Sequence, residues 1–219
     1  MNSASVIEAV KEGDAVRLRE LVTAEPGAAS ARDGEGTSAL IHAVYRNRRD
    51  LIDILLSARP TIDVFEAAAI GDDARVRKLL DRDAELVSAW SRDGFTPLHL
   101  AAFFGHERAA RLLLEHGADP SVVSHSPLGV APLHSAAAGD HPTVARLLVD
   151  AGADVNTRQR GGWVPLHSAA ANGDAELVRF LLEHGADADA RQDEGKSAAD
   201  VAGEKGHAEI AELLSNAGA

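Results

Sequence analysis

The sequence predicts an all-α fold: a solenoid of about seven helix-turn-helix repeats joined by short β-hairpin loops. Three observations predict it. First, three segments nearly superimpose: Thr96-Pro97-Leu98-His99-Leu100-Ala101-Ala102, Ala131-Pro132-Leu133-His134-Ser135-Ala136-Ala137 and Val164-Pro165-Leu166-His167-Ser168-Ala169-Ala170. Their starts lie 35 and 33 residues apart (131−96 and 164−131). Second, each is followed by a helical apolar run that closes on Gly117-Ala118-Asp119, Gly152-Ala153-Asp154 or Gly185-Ala186-Asp187. Third, nine residues after each motif start, in the faint repeats as in the clear ones, stands a turn residue: Gly13, Asn47, Gly71, Gly105, Asp140, Gly173 and Gly206. Gly, Asn and Asp best tolerate the positive φ of a tight helix-to-helix turn.

The same register recurs in the outer helices. Five residues past each turn residue the side chain is apolar: Leu18, Ile52, Val76, Ala110, Ala145, Val178 and Ala211. Eight past, it is again apolar: Leu21, Leu55, Leu79, Leu113, Leu148, Leu181 and Leu214. A spacing of three puts both on one helix face. One helix pair cannot bury such a stripe alone, and stacked pairs can. Pro97, Pro132 and Pro165 suit the first helical turn, where a missing N–H is no loss, and Thr96 is a natural N-cap. Ala131 and Val164 replace that threonine, each at a cost of about 1 kcal/mol. The Ala pairs let the inner helices approach closely.

The repeats run over 1–35, 36–60, 61–93, 94–126, 127–161, 162–194 and 195–219, in one domain spanning 1–219. The first, with Arg17, Arg19 and Glu20, reads as a polar cap. So does the last, with Glu204, Lys205, Glu209 and Glu212. Only 24 residues separate Asn47 from Gly71 (71−47), and the hairpin between the second and third repeats is expected to be lost, leaving a notch. From Gly105 to Asp140 the interval is 35, and the surplus lengthens the hairpin over Ser124–Val130.

The three motifs, their period and their Gly-Ala-Asp turns resemble the ankyrin repeat family, and the likeness extends over essentially the whole chain. The resemblance implies an ankyrin-repeat α-solenoid with a concave binding face built from hairpin tips and the last exposed residues of the inner helices. Those positions here include Arg32, Tyr45, Arg46, Trp90, Arg92, Phe95, Phe103, Phe104, Val123, His125, Leu128, Val130, Arg158, Arg160, Trp163 and Asn172. It also implies that His99, His134 and His167 bond the loops of stacked repeats. Successive repeats lie roughly 10 Å apart and metal ligands must lie about 2 Å from one ion, so this histidine column cannot share a metal.

The aromatic distribution carries the functional expectation. Of eight aromatics, Tyr45, Trp90, Phe95, Phe103, Phe104 and Trp163 fall at predicted exposed positions, and only Phe65 and Phe180 at predicted core positions. A chain needing rings for stability alone would place them inside, and an exposed apolar patch marks an interaction site. Aromatics and Arg dominate binding hot spots. The expected site is therefore Tyr45, Arg46, Trp90, Arg92, Phe95, Phe103, Phe104, His125, Leu128, Arg158, Arg160 and Trp163, with the arginines suiting an acidic segment. The competing expectation is that the rings pack on one another, with Pro127 and Leu128 covering Phe103 and Phe104.

Composition bounds the rest. The chain has no cysteine, which excludes a disulfide framework and a thiolate nucleophile. No stretch approaches the roughly 20 apolar residues of a membrane span, and the N-terminus shows no basic start followed by a long apolar run. A cytoplasmic protein is expected. A net charge of -12 argues against nucleic acid. There is no phosphate-binding glycine loop, nucleophile elbow or zinc-protease motif, so no catalytic residue, metal or cofactor is assigned. The leading expectation is a protein-interaction scaffold, monomeric until its partner arrives. A second is a small-molecule binder or atypical enzyme with an apolar pocket around Trp90, Phe95, Phe104, Trp163 and His125, the histidine serving as base. A third is self-association through the same patch.

Overall fold

The computed structural model describes residues 2–218. Seven consecutive helix pairs fill them: α1 (Asn2–Glu12) and α2 (Ala15–Ala24), α3 (Ala39–Tyr45) and α4 (Arg49–Ser57), α5 (Val64–Ile70) and α6 (Asp73–Leu80), α7 (Pro97–Phe103) and α8 (Glu107–Glu115), α9 (Pro132–Ala138) and α10 (Pro142–Asp150), α11 (Pro165–Asn172) and α12 (Ala175–Glu183), α13 (Ala198–Glu204) and α14 (Ala208–Ala217). The inner row α1, α3, α5, α7, α9, α11, α13 stacks in chain order, and the even-numbered helices stack outside it. The core is a continuous ribbon from Val6 to Leu214, mostly Leu and Ala with Val and Ile among them. Leu55, Leu113, Leu148 and Leu181 are fully buried, as their spacing requires.

The turn register holds throughout. Gly13, Asn47, Gly71, Gly105, Asp140, Gly173 and Gly206 all take positive φ, from 51° at Asn47 to 85° at Gly206. The expected notch is present: α4 and α5 are joined by six residues (58–63), against fourteen to sixteen between the other repeats. The short loop delays α5, which starts at Val64 under a reciprocal capping box between Asp63 and Glu66. On the outer side α4 and α6 form the loosest step, a hollow lined by Ile52, Leu56, Ile70 and Phe104.

Two features depart from expectation. The hairpins are minimal: each tip closes on two backbone bonds within itself, and among the described residues only Arg32–Ser38 and Arg191–Ser197 form β-bridges. After α2 and α6 the chain makes 3-10 turns, Pro26–Ser30 and Ala84–Ser88. These two repeats lack the Gly-Ala-Asp turn, and a 3-10 turn buries Ala28 and Ala29 against the core instead.

Two ladders of histidines lock neighbouring repeats. In the inner ladder, the Nδ1 atoms of His99, His134 and His167 accept the N–H of Thr96, Ala131 and Val164, each at 3.2 Å. Their Nε2 atoms donate to the Val130, Trp163 and Lys196 carbonyls of the next hairpin, at 2.9, 3.3 and 3.3 Å. Both ring nitrogens are thus committed in the neutral, Nε2-protonated tautomer. Burial, the largest cause, pushes all three pKa values down, that of His99 from 6.5 to about 4. In the outer ladder, His106 and His207 donate to the Ala69 and Ala171 carbonyls of the preceding repeat. Arg48 does the same to Gly13 at 3.1 Å.

The expected missing caps are real. Val164 has the extended backbone of an N-cap (φ -111°, ψ 164°), close to that of Thr96 (φ -85°, ψ 165°), and offers no side-chain acceptor. Thr matches Val in shape. Val164→Thr is therefore expected to stabilise the protein by about 1 kcal/mol, read as a higher urea midpoint with an unchanged slope. An unchanged or lower midpoint would count against the missing cap as a local weakness.

Candidate functional site

The inner helices end beside the hairpin tips, and their register sets the relief of that face. Tyr45, Phe103, Ala138 and Ala171 occupy equivalent places two residues before the turn, and Leu100, Ser135 and Ser168 lie three residues earlier. The step from Phe103 to Ala138, and from Leu100 to Ser135, opens a groove of about 270 Å³. Its walls are Tyr45, Phe95, Leu100, Phe103, Leu128 and Val130, with Ser135 and Ala138 among its lining. Tyr45, Phe103 and Leu128 remain 44%, 39% and 54% exposed, far above any core side chain.

The tips position the rest. Tyr45 donates its hydroxyl to Asp93 Oδ2 at 3.1 Å, across the notch. Burial, then the Asp93 charge, pushes the phenol well above its ordinary pKa. Trp90 is half-buried beneath His125, the two rings stacked at 3.7 Å. The backbone N–H of His125 donates to Gly94 at 2.9 Å, so the long loop folds back onto the preceding tip. Phe95 lies 5.8 Å from His99, and Trp163 lies 5.6 Å from His167.

Several expected site residues lie elsewhere. Phe104 packs edge-on against Phe103 at 5.0 Å but lines the outer hollow beside Ile52 and Ile70. Trp163 faces a separate depression with Lys196, Val201 and Glu204. Trp90, Phe95, Phe104, Trp163 and His125 therefore share no single pocket. Val130 is buried, because its carbonyl is drawn in by His99. Leu128 borders the groove without sealing it.

The arginine rim is largely spent within the chain. Arg32 bridges Asp63 at 2.8 Å and Glu66 at 3.4 Å. Arg46 donates to the His42 carbonyl at 3.2 Å, and Arg158 to the Arg191 carbonyl at 2.6 Å. Arg92 lays its side chain against Gly36, and Arg160 remains exposed at the rim. Glu66 was not foreseen: it is buried in the notch, and burial raises its pKa despite Arg32 and Ser38. No group of three metal-ligating side chains is close enough to hold an ion among the described residues.

The tandem helix pairs agree with a comparison across families: a family model for ankyrin repeats (three copies) matches residues 64–159 and 133–219. The chain belongs to the ankyrin repeat family. It is 34% identical over 94 residues to ankyrin repeat and SAM domain-containing protein 6 of Danio rerio, a match covering 38% of this chain and 13% of the relative. It is 32% identical over 108 residues to the DNA-binding protein RFXANK of Homo sapiens, covering 48% of this chain and 41% of the relative. Against SMC5-SMC6 complex localization factor protein 1 of Bos taurus it is 35% identical over 94 residues, 38% of this chain and 9% of the relative. The matches thus span less than half the length of each of these relatives. Among the described residues, no helix of this ankyrin chain is long and apolar enough to cross a membrane.

Proposed function

We propose that this chain is a protein-interaction module that holds an extended, apolar-anchored segment of a partner protein in the groove between Tyr45, Phe103 and Leu128. Ankyrin repeats mediate protein-protein interaction in general. One observation carries it: three large apolar side chains stay exposed around one apolar hollow in a chain whose core is mostly aliphatic. Water contact with such surface is unfavourable by roughly 25 cal/mol per Å², and a partner's side chain would remove it. The groove is shallow and open, suited to the side chains of a segment rather than an enclosed metabolite. A chain of net charge -12 repels nucleic acid phosphates, so the proposed partner is a protein.

The test is affinity capture from the source organism with wild type and Phe103→Ala. Phe103 is 39% exposed, so its loss should leave the fold nearly intact while weakening partner retention about tenfold or more. Equal retention of the same proteins by both, with matched unfolding curves, would remove the groove as the anchor.

A further inference from the structure

We propose that the notch between tips 33–37 and 91–95 is a receptor for one β-turn of a partner protein, a turn that takes the place of the missing hairpin and carries a lysine or arginine. This site is distinct from the apolar groove, with which it shares only Tyr45 and Leu100.

The tips form a tape of backbone bonds. The second residue of each tip donates its N–H to the tip before it: His125 to Gly94 at 2.9 Å, Arg160 to Leu128 at 2.8 Å, Asp193 to Gly161 at 2.9 Å. In tip 91–95 the equivalent donor is Arg92, and its N–H has no partner among the described residues. The hairpin that would accept it is the one the sequence omits.

The other side of the gap has the matching defect. Tip 33–37 has no hairpin after it, and Arg32 folds its own Nη1 onto the Gly36 carbonyl at 3.1 Å. Tip 192–196 has no following hairpin among the described residues, and there Arg191 closes the Gly195 carbonyl in the same way, at 2.8 Å. The first tip is thus finished as an open end in the middle of the molecule. An unpaired donor and a provisionally capped acceptor flank a gap that the Arg92 side chain now spans. Added backbone that bonds both edges is the usual way an open strand edge recruits a peptide.

The lining sets the chemistry of the occupant. A cavity of about 160 Å³ lies in the gap, lined by Ile41, Tyr45, Trp90 and Leu100 and by the carboxylates of Asp63, Glu66 and Asp93. Arg32 and Arg92 are the cations there, one fewer than the carboxylates. With a chain charge of -12, the field favours a basic side chain, whose stem would lie on Trp90 and Tyr45. The Arg92 side chain now lies across the gap on Gly36 and would swing out when the turn enters.

The experiment is selection of a phage-displayed library of disulfide-cyclised turns on the full chain, followed by binding measurements with three variants. Arg92 is the second residue of a turn closed by Gly94 N–H to Ser91 O at 3.0 Å, a position that accepts proline. Arg92→Pro therefore removes the N–H without disturbing the turn, and Arg92→Ala removes only the side chain. Enriched turns should be rich in Lys or Arg and bind Arg92→Ala at least as tightly as wild type. They should bind Arg92→Pro about tenfold more weakly than Arg92→Ala and be indifferent to Phe103→Ala. No enrichment, acidic enriched turns, or equal binding to Arg92→Ala and Arg92→Pro would overturn the proposal. Loss of binding in Phe103→Ala would move the turns to the groove and also overturn it. Concentration-dependent dimerisation abolished by Arg92→Pro would identify a second copy as the occupant, against the partner proposed.

Discussion

Acidification from pH 7 to pH 4 is expected to remove on the order of 3 kcal/mol of stability through His99 alone. The folded state holds this ring neutral, with its pKa lowered from 6.5 to about 4. Between those values the unfolded chain binds the proton and the folded chain does not, so stability falls as pH drops and levels off below about 4. His134 and His167 act in the same direction, since burial lowers both. Protonating any of the three would turn Nδ1 from an acceptor into a donor facing a backbone N–H. Two carboxyls in the notch region differ in sign. Asp33 is held well below its ordinary value, first by the His42 ring at 2.7 Å, and so adds a loss only as pH falls below the usual carboxylate range. Glu66, raised by burial, works the other way. Guanidinium titrations at pH 7, 5.5 and 4 read the effect. His99→Gln should be less stable than wild type at pH 7 and show a flatter pH dependence. An equal slope in both proteins would refute the role given to this ring.

Gly105→Ala is expected to destabilise by about 3 kcal/mol, from a strained backbone and an overpacked contact together. Gly105 has φ +73°, and an added Cβ would meet the His141 ring at 2.4 Å. The outer ladder makes this general, with His106 over Gly71 and His207 over Gly173. The contrast lies at Asp140, which holds φ 61° with a side chain already present. Asp140→Gly should cost little or even stabilise, because only the conformational penalty changes. Urea midpoints of the two variants compare them. A loss below about 1 kcal/mol in Gly105→Ala would mean that the His141 ring yields and that its interlocking with Gly105 does not set the cost.

The fold was legible because its signals are local and repeated. Seven turn residues at a constant offset fixed each helix pair, and every one takes positive φ. The short interval from Asn47 to Gly71 likewise located the lost hairpin. What the sequence hid depends on placement between repeats. Phe103 and Phe104 are neighbours in the chain, yet one faces the groove and the other the outer hollow, because α4 and α6 diverge beside Phe104. The arginines looked like a free cationic rim, but Arg32 and Arg158 reach partners 31 and 33 residues away. The 3-10 turns after α2 and α6 replace a motif simply missing from those repeats, and no positive signal marked them. The groove itself had a readable signal: the step from Phe103 to Ala138 in equivalent positions leaves a space that larger residues would fill.

Photo-crosslinking from two apolar surface positions distinguishes the groove from the rest of the surface. Leu128 borders the groove and is 54% exposed, while Val16 lies on α2 and is 65% exposed. With a benzophenone amino acid placed at either position in the source cells, position 128 should yield a discrete adduct with another protein and position 16 should not. Equal labelling from both, or none from position 128, would contradict the groove as the binding surface.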